Sequence, residues 1–152
     1  LSPAARALNS SMPQHIAKEL VSLCGGVQPR RVLVMGYAYK PNISDTRETP
    51  VAHLVNILSE SGTTDIFVWD PLIDSSRLLR PAQNVSDPYS LEDIDCIVIG
   101  TAHDEVIDSD WDRLGENMSS PRIYDGRRCI DPVQMISSGW SFHAVGWPYE
   151  GA

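Results

Sequence analysis

Two spacings of apolar residues alternate along this chain. Val32-Leu33-Val34-Met35 and the stretch Ile94–Ile99 are nearly unbroken apolar runs, the pattern of central strands buried on both faces of a parallel sheet. Between them Val51, Leu54, Val55 and Leu58 recur at helical spacing. Thr49 is placed to cap that helix, Pro50 fits its first position, and Gly62 closes it. Upstream, Ile16, Leu20, Leu23 and Cys24 form a second helical stripe, opened by Ser11-Met12-Pro13-Gln14 and ended by Gly25-Gly26. The piece before Pro13 reads as either a separate turn or a kinked continuation, and residues 25–31 as a short linker.

Further strands are expected at Arg31–Met35, Asp65–Trp69 (stopped by Asp70-Pro71), Asn84-Val85, Arg122–Tyr124 and Ser141–Val145. Helical patterns fall at Ile73–Leu79, around Asp110–Gly115, and from Asp131-Pro132 to Ser138, with a short turn or helix at Leu91-Glu92. Strands alternating with helices predict an α/β fold. The expected architecture is a three-layer sandwich around a Rossmann-like, mainly parallel sheet, preceded by an N-terminal helix. No internal repeat interrupts it.

One connection is too long for the pattern. Gly36 to Thr49 separates a strand from a helix, where about 2–6 residues usually suffice. It carries Lys40 and Arg47 beside a helix N-terminus, whose free N–H groups and dipole already favour an anion. That combination suits a phosphate or diphosphate. The plainer readings are a solvated lysine at 40 and a local ion pair of Arg47 with Asp45 or Glu48. Arg127 follows Asp125-Gly126, a tight-turn signal at a strand end, which would project it at the ligand-binding edge of a sheet.

Charge sharpens that reading. The 152 residues carry 12 Lys plus Arg against 20 Asp plus Glu, a net −8, which argues against a nucleic-acid or anionic-membrane partner. Loop cations therefore matter if an anion is to bind. No apolar run is long enough to span a membrane, and no signal peptide is visible. The chain begins without Met inside a helical pattern, as an excised piece would. Cys24, Cys96 and Cys129 are an odd number without metal spacing, so no metal site is expected and a reduced, cytoplasmic setting is the default. His103-Asp104-Glu105 also fits no zinc pattern, and His103 is better read as bonding a loop backbone. Asp70 reads as a turn residue or cap, because the first turn lacks the Gly-x-Gly-x-x-Gly that accompanies a ribose-binding acid. Trp111, Trp140 and Trp147 read as packing residues.

The run Gly36-Tyr37-Ala38-Tyr39-Lys40-Pro41-Asn42, then Asp45-Thr46-Arg47-Glu48-Thr49-Pro50, resembles the C-terminal domain of the UDP-glucose/GDP-mannose dehydrogenase family. There the pattern is Gly-x-Ala-Phe/Tyr-Lys-x-Asn/Asp followed by Asp-x-Arg-Glu-Ser/Thr-Pro. The likeness continues in order through Val68-Trp69-Asp70-Pro71, Ile97–Glu105, Tyr124-Asp125-Gly126-Arg127-Arg128 and Gly139-Trp140 with Gly146. Ala5–Pro13 is similar to the tail of the family's central helix. The resemblance implies residues 1–26 as that tail and 27–152 as a nucleotide-sugar-binding domain. It implies that Lys40 holds the substrate diphosphate, Tyr39 lies against the sugar-nucleotide, Arg127 contacts it, and Arg47 approaches the pyrophosphate of NAD, which another domain mostly binds.

The same resemblance implies oxidation of a UDP-sugar C6 hydroxyl to a carboxylate by NAD, in polysaccharide biosynthesis, through a Cys nucleophile. In the family that Cys lies in a Gly-Phe-Gly-Gly-x-Cys-Phe-x-Lys-Asp segment with no counterpart here. The expected partners are a UDP-sugar, an N-terminal domain of the same polypeptide, and a homodimer or larger assembly at full length. This chain alone is expected to bind but not to turn over. A stand-alone nucleotide-binding or assembly domain, and a GDP-mannose dehydrogenase, stay open as alternatives, since neither base nor sugar can be read from these residues.

Overall fold

The computed structural model describes residues 3–44, 46 and 49–146, with side chains from Met12 onward. Six strands form one sheet in the order β3-β2-β1-β4-β5-β6. They are β1 (Arg31–Met35), β2 (Asp65–Trp69), β3 (Ala82–Asn84), β4 (Cys96–Ile99), β5 (Arg122–Asp125) and β6 (Ser141–Ala144). Every neighbouring pair is parallel. The chain moves outward from β1 through β2 to β3, then returns past β1 to β4 and continues to β6. The order therefore reverses between β1 and β4, the place where open α/β sheets hold ligands at their strand C-termini.

Alternation along the strands divides the core. Val32, Val34, Ile66, Val68, Cys96, Val98 and Tyr124 face one layer, made by α1 (Pro3–Leu23) and α2 (Pro50–Glu60). Leu33, Met35, Ile97, Ile99 and Ile123 face the other, where Val106, Leu114, Met118, Met135 and Trp140 pack. That second layer contains α3 (Asp104–Ile107), α4 (Trp111–Glu116) and α5 (Pro132–Ser137). Burial on both faces is why β1 and β4 have no polar position in their interiors. The expected three-layer sandwich is the observed one, and its sheet is parallel throughout.

Several boundaries differ from the sequence reading. Helix α1 runs from Pro3 to Leu23 with Pro13 in its interior, so the piece before Pro13 continues the helix rather than forming a separate turn. The pattern at Ile73–Leu79 yields only a 3-10 turn at Ser75–Arg77, because Leu78 turns to extended backbone at ψ 130°. The unforeseen α3 has four residues, too few to show a helical stripe. Thr49 and Pro50 behave as expected: the Thr49 hydroxyl accepts the Val51 N–H at 3.3 Å, and Pro50 opens α2. Trp111 and Trp140 pack edge to face with centroids 6.3 Å apart; Trp147 lies outside the described residues.

Candidate functional site

The strand C-termini at the reversal are pressed together by glycine. A Cβ on Gly36, whose φ is 92°, would lie 2.6 Å from the Thr101 Cβ. A Cβ on Gly100 would lie 2.6 Å from the Gly36 carbonyl oxygen. Neither approach leaves room for a side chain, so the loops after β1 and β4 start in contact. The Thr101 hydroxyl then donates to the Ala38 carbonyl at 2.7 Å, joining them.

The loop after β1 is tied at both ends. Asp70, at the end of β2, accepts the Tyr37 N–H at 2.7 Å and the Ala38 N–H at 3.0 Å on Oδ2. Its Oδ1 accepts the Leu72 N–H at 2.9 Å, so it is a turn residue as expected and also a loop anchor. His103 Nε2 lies 2.9 Å from the same Asp70 Oδ2, and His103 Nδ1 accepts the Asn42 N–H at 2.7 Å. His103 is fully buried and does bond a loop backbone. Asn42, at φ 61°, accepts the Asp104 N–H through its side chain at 3.0 Å, and Arg77 Nη1 donates to the Ser44 carbonyl at 2.8 Å. Tyr39, Lys40 and Pro41 form the arch between these anchors. Tyr39 and Lys40 are exposed, with the ammonium 5.7 Å from the Tyr39 ring centroid.

The turn after β5 is built on a second buried carboxylate. Asp125 has no exposed surface. Its Oδ1 accepts the Arg127 N–H at 2.9 Å, and its Oδ2 accepts the N–H groups of Cys129 and Ile130 at 2.8 and 3.0 Å. Three backbone donors replace the water a carboxylate loses on burial. They also fix the turn that presents Arg127, whose Nε donates to the Gly100 carbonyl at 3.0 Å. The guanidinium therefore lies over the end of β4. The Cys129 sulfur lies 3.6 Å from Asp125 Oδ1, and the thiol pKa is pushed up to about 12 by burial and by that neighbouring carboxylate.

The expected Lys40 and Arg127 thus emerge from one rim of the sheet. Their strands β1 and β5 flank β4, two strand spacings or about 10 Å apart at the backbone. The Arg127 side chain leans into that interval. No acidic side chain pairs with either cation among the described residues. Tyr39 shares the arch with Lys40. Arg47, with Asp45 and Glu48, lies outside the described residues. Asp125 does more than mark a tight turn, and Asp70 more than end β2: each gathers backbone N–H groups of a loop. The usable signal for Asp125 was an Asp before Gly at a strand end, placed to accept the N–H two residues on.

A doubly wound parallel sheet with two exposed cations at its reversal point, neither paired with an acid among the described residues, has the architecture of nucleotide-binding folds. The sequence profile of the UDP-glucose/GDP-mannose dehydrogenase family, UDP binding domain, matches residues 33–132, and the chain belongs to that family. The UDP-glucose 6-dehydrogenase TuaD of Bacillus subtilis is 28% identical over 144 residues, an alignment covering 92% of this chain and 31% of TuaD. A solved UDP-glucose dehydrogenase from Pyrobaculum islandicum superimposes with a TM-score of 0.74 at 26% identity, over 95% of this chain and 32% of that one. The fold alone is shared with an NDP-N-acetyl-D-galactosaminuronic acid dehydrogenase from Methanosarcina mazei, with a TM-score of 0.81 at 21% identity and coverage of 94% and 31%. The chain spans about a third of the length of these relatives.

Proposed function

We propose that this chain is the nucleotide-sugar-binding domain of an NAD-dependent UDP-sugar 6-dehydrogenase. The observation that carries the reading is the rim itself: an arch bearing Lys40 and a turn bearing Arg127, on strand ends either side of β4, in a protein of net charge −8. Lys40 supplies a point charge for the diphosphate, Arg127 a planar fork for its oxygens, and Tyr39 a face for the sugar or ribose. In the whole enzyme this domain orients the nucleotide while the C6 hydroxyl is oxidised elsewhere. A cytoplasmic setting and a place in polysaccharide biosynthesis go with this reading, as does assembly of the full-length protein into a homodimer or higher oligomer.

NAD does not fit this domain as its main site. The acid that would take the ribose hydroxyls, Asp70, is occupied by the N–H groups of Tyr37, Ala38 and Leu72 and by His103. Arg47 is proposed to reach the cofactor from the loop. The cysteines are also poorly suited to nucleophilic catalysis. Cys24 and Cys96 are buried in the core, and Cys129 is held as the neutral thiol. The chain alone should therefore bind a uridine nucleotide and reduce no NAD.

Calorimetric titration with UDP tests this. Lys40→Ala should weaken UDP binding by about tenfold or more, with the melting transition unmoved. Unchanged affinity would remove Lys40 from the site.

A further inference from the structure

We infer that His103 is a positioning residue for nucleotide binding: through Asn42 it fixes the far foot of the arch that carries Lys40. This rests on the reading of that arch as the diphosphate site. The geometry sets the protons. Nδ1 faces the Asn42 N–H at 2.7 Å and must accept, so the ring proton resides on Nε2 and donates to Asp70 Oδ2 at 2.9 Å. That same oxygen accepts the N–H groups of Tyr37 and Ala38, the near foot of the arch.

One buried carboxylate and one imidazole thus link residues 37–38 to the backbone of residue 42, whose side chain is held separately by the Asp104 N–H at 3.0 Å. Both are inaccessible to solvent, with side-chain exposures of 0% for His103 and 2% for Asp70, so water cannot substitute for either partner. The arch itself is exposed, and its feet are the parts tied to buried groups among the described residues. The site needs an ammonium at a fixed height over the rim, and His103 provides it without approaching the ligand. It comes from the β4–α3 connection, 61 residues beyond Asn42, so it ties the two loops that flank the sheet's reversal.

The two imidazole nitrogens can be separated by substitution. His103→Asn keeps a δ oxygen that can accept the Asn42 N–H and loses the bond to Asp70. His103→Gln keeps an ε amide that can donate to Asp70 and loses the acceptor. In the 152-residue chain without ligand, hydrogen exchange at the Asn42 amide should speed up about tenfold in His103→Gln and stay within about threefold of the unaltered chain in His103→Asn. UDP affinity should follow the same order: about tenfold weaker in His103→Gln and nearly restored in His103→Asn, although each variant has lost one bond. Melting temperatures separate this from a general stabilising role, which would lower affinity in step with stability and without regard to which nitrogen is replaced. Equal UDP affinities in the two variants, or unchanged Asn42 exchange in His103→Gln, would overturn the inference. Asn42 exchange is read without nucleotide, so an unaltered chain that fails to bind UDP while exchange follows the expected order would overturn the nucleotide reading alone.

Discussion

The two ends of this sheet handle charge in opposite ways. At the strand N-termini a cation meets an acid directly: Arg31 Nη1 lies 2.8 Å from Asp65 Oδ2, with its guanidinium 5.0 Å from the Phe67 ring centroid. Asp95 there accepts the N–H groups of Arg30 and Arg31 at 2.9 and 3.0 Å. At the strand C-termini two acids turn inward. Asp70 and Asp125 are buried and surrounded mainly by backbone N–H donors. Lys40 and Arg127 are left exposed, without an acidic partner among the described residues. One end thus cancels its charge internally. The other satisfies Asp70 and Asp125 with neutral dipoles and, among the described residues, pairs neither Lys40 nor Arg127 with an acid, which is what an anion site needs in an acidic protein.

The comparison can be broken most severely at Asp125. Asp125→Ala would leave the N–H groups of Arg127, Cys129 and Ile130 without their acceptor, and should cost about 3 kcal/mol or more in urea unfolding. A loss under about 0.5 kcal/mol would show that the turn holds itself. Next in size is the pair Lys40→Ala with Arg127→Ala. Together they should weaken UDP by about a hundredfold, near 2.7 kcal/mol, while unfolding stability moves by less than about 0.5 kcal/mol. Stability lost in proportion to affinity would make these cations part of the scaffold instead.

Arg31→Met sharpens the contrast from the other end. It removes an ion pair whose side chains are each 34% exposed, and should cost about 0.5–1 kcal/mol with UDP affinity unaltered. An affinity loss matching that of Arg127→Ala would dissolve the distinction between the two ends. The smallest effect near neutral pH belongs to β5 and its turn. Burial raises the Tyr124 phenol from 10.0 to about 12 and the Cys129 thiol from 9.0 to about 12. The folded chain holds both protons more tightly than the unfolded one, so their contribution is fully present below about pH 9 and is lost as pH rises through 12. Melting temperature should therefore be level from pH 7 to 9 and fall beyond, and iodoacetamide should label Cys129 slowly at pH 8. Rapid labelling at pH 8 in the folded chain would contradict the buried, neutral thiol.

Much of the fold was legible because its causes are local. Unbroken apolar runs located β1 and β2 to the residue, and Thr49-Pro50 marked the start of α2. Where local signals were thin the reading slipped. At Pro13 the sequence leaves a separate turn and a continued helix both open; helix α1 passes through it, and its buried stripe of Ala17, Leu20 and Leu23 is fastened to the sheet-side core. Four-residue α3 leaves no periodic trace, and its cap position, His103, makes no side-chain capping bond. The site divided the same way. Cations after strands are visible in sequence, so Lys40 and Arg127 stood out. The carboxylates that position them were not, because an acid beside Pro71 or Gly126 looks like any turn residue. Only the parallel register brings Asp70 to the N–H of Tyr37, 33 residues earlier, and His103 to Asn42.

The most direct test is a nitrogen-15 NMR titration of the 152-residue chain with UDP, using uridine as the control. Saturable amide shifts confined to residues 36–42, 100–104 and 126–130 are expected, with much weaker shifts for uridine, which lacks the diphosphate. Shifts centred instead on residues 30–31, 64–65 and 92–95, or identical affinities for UDP and uridine, would contradict the diphosphate reading.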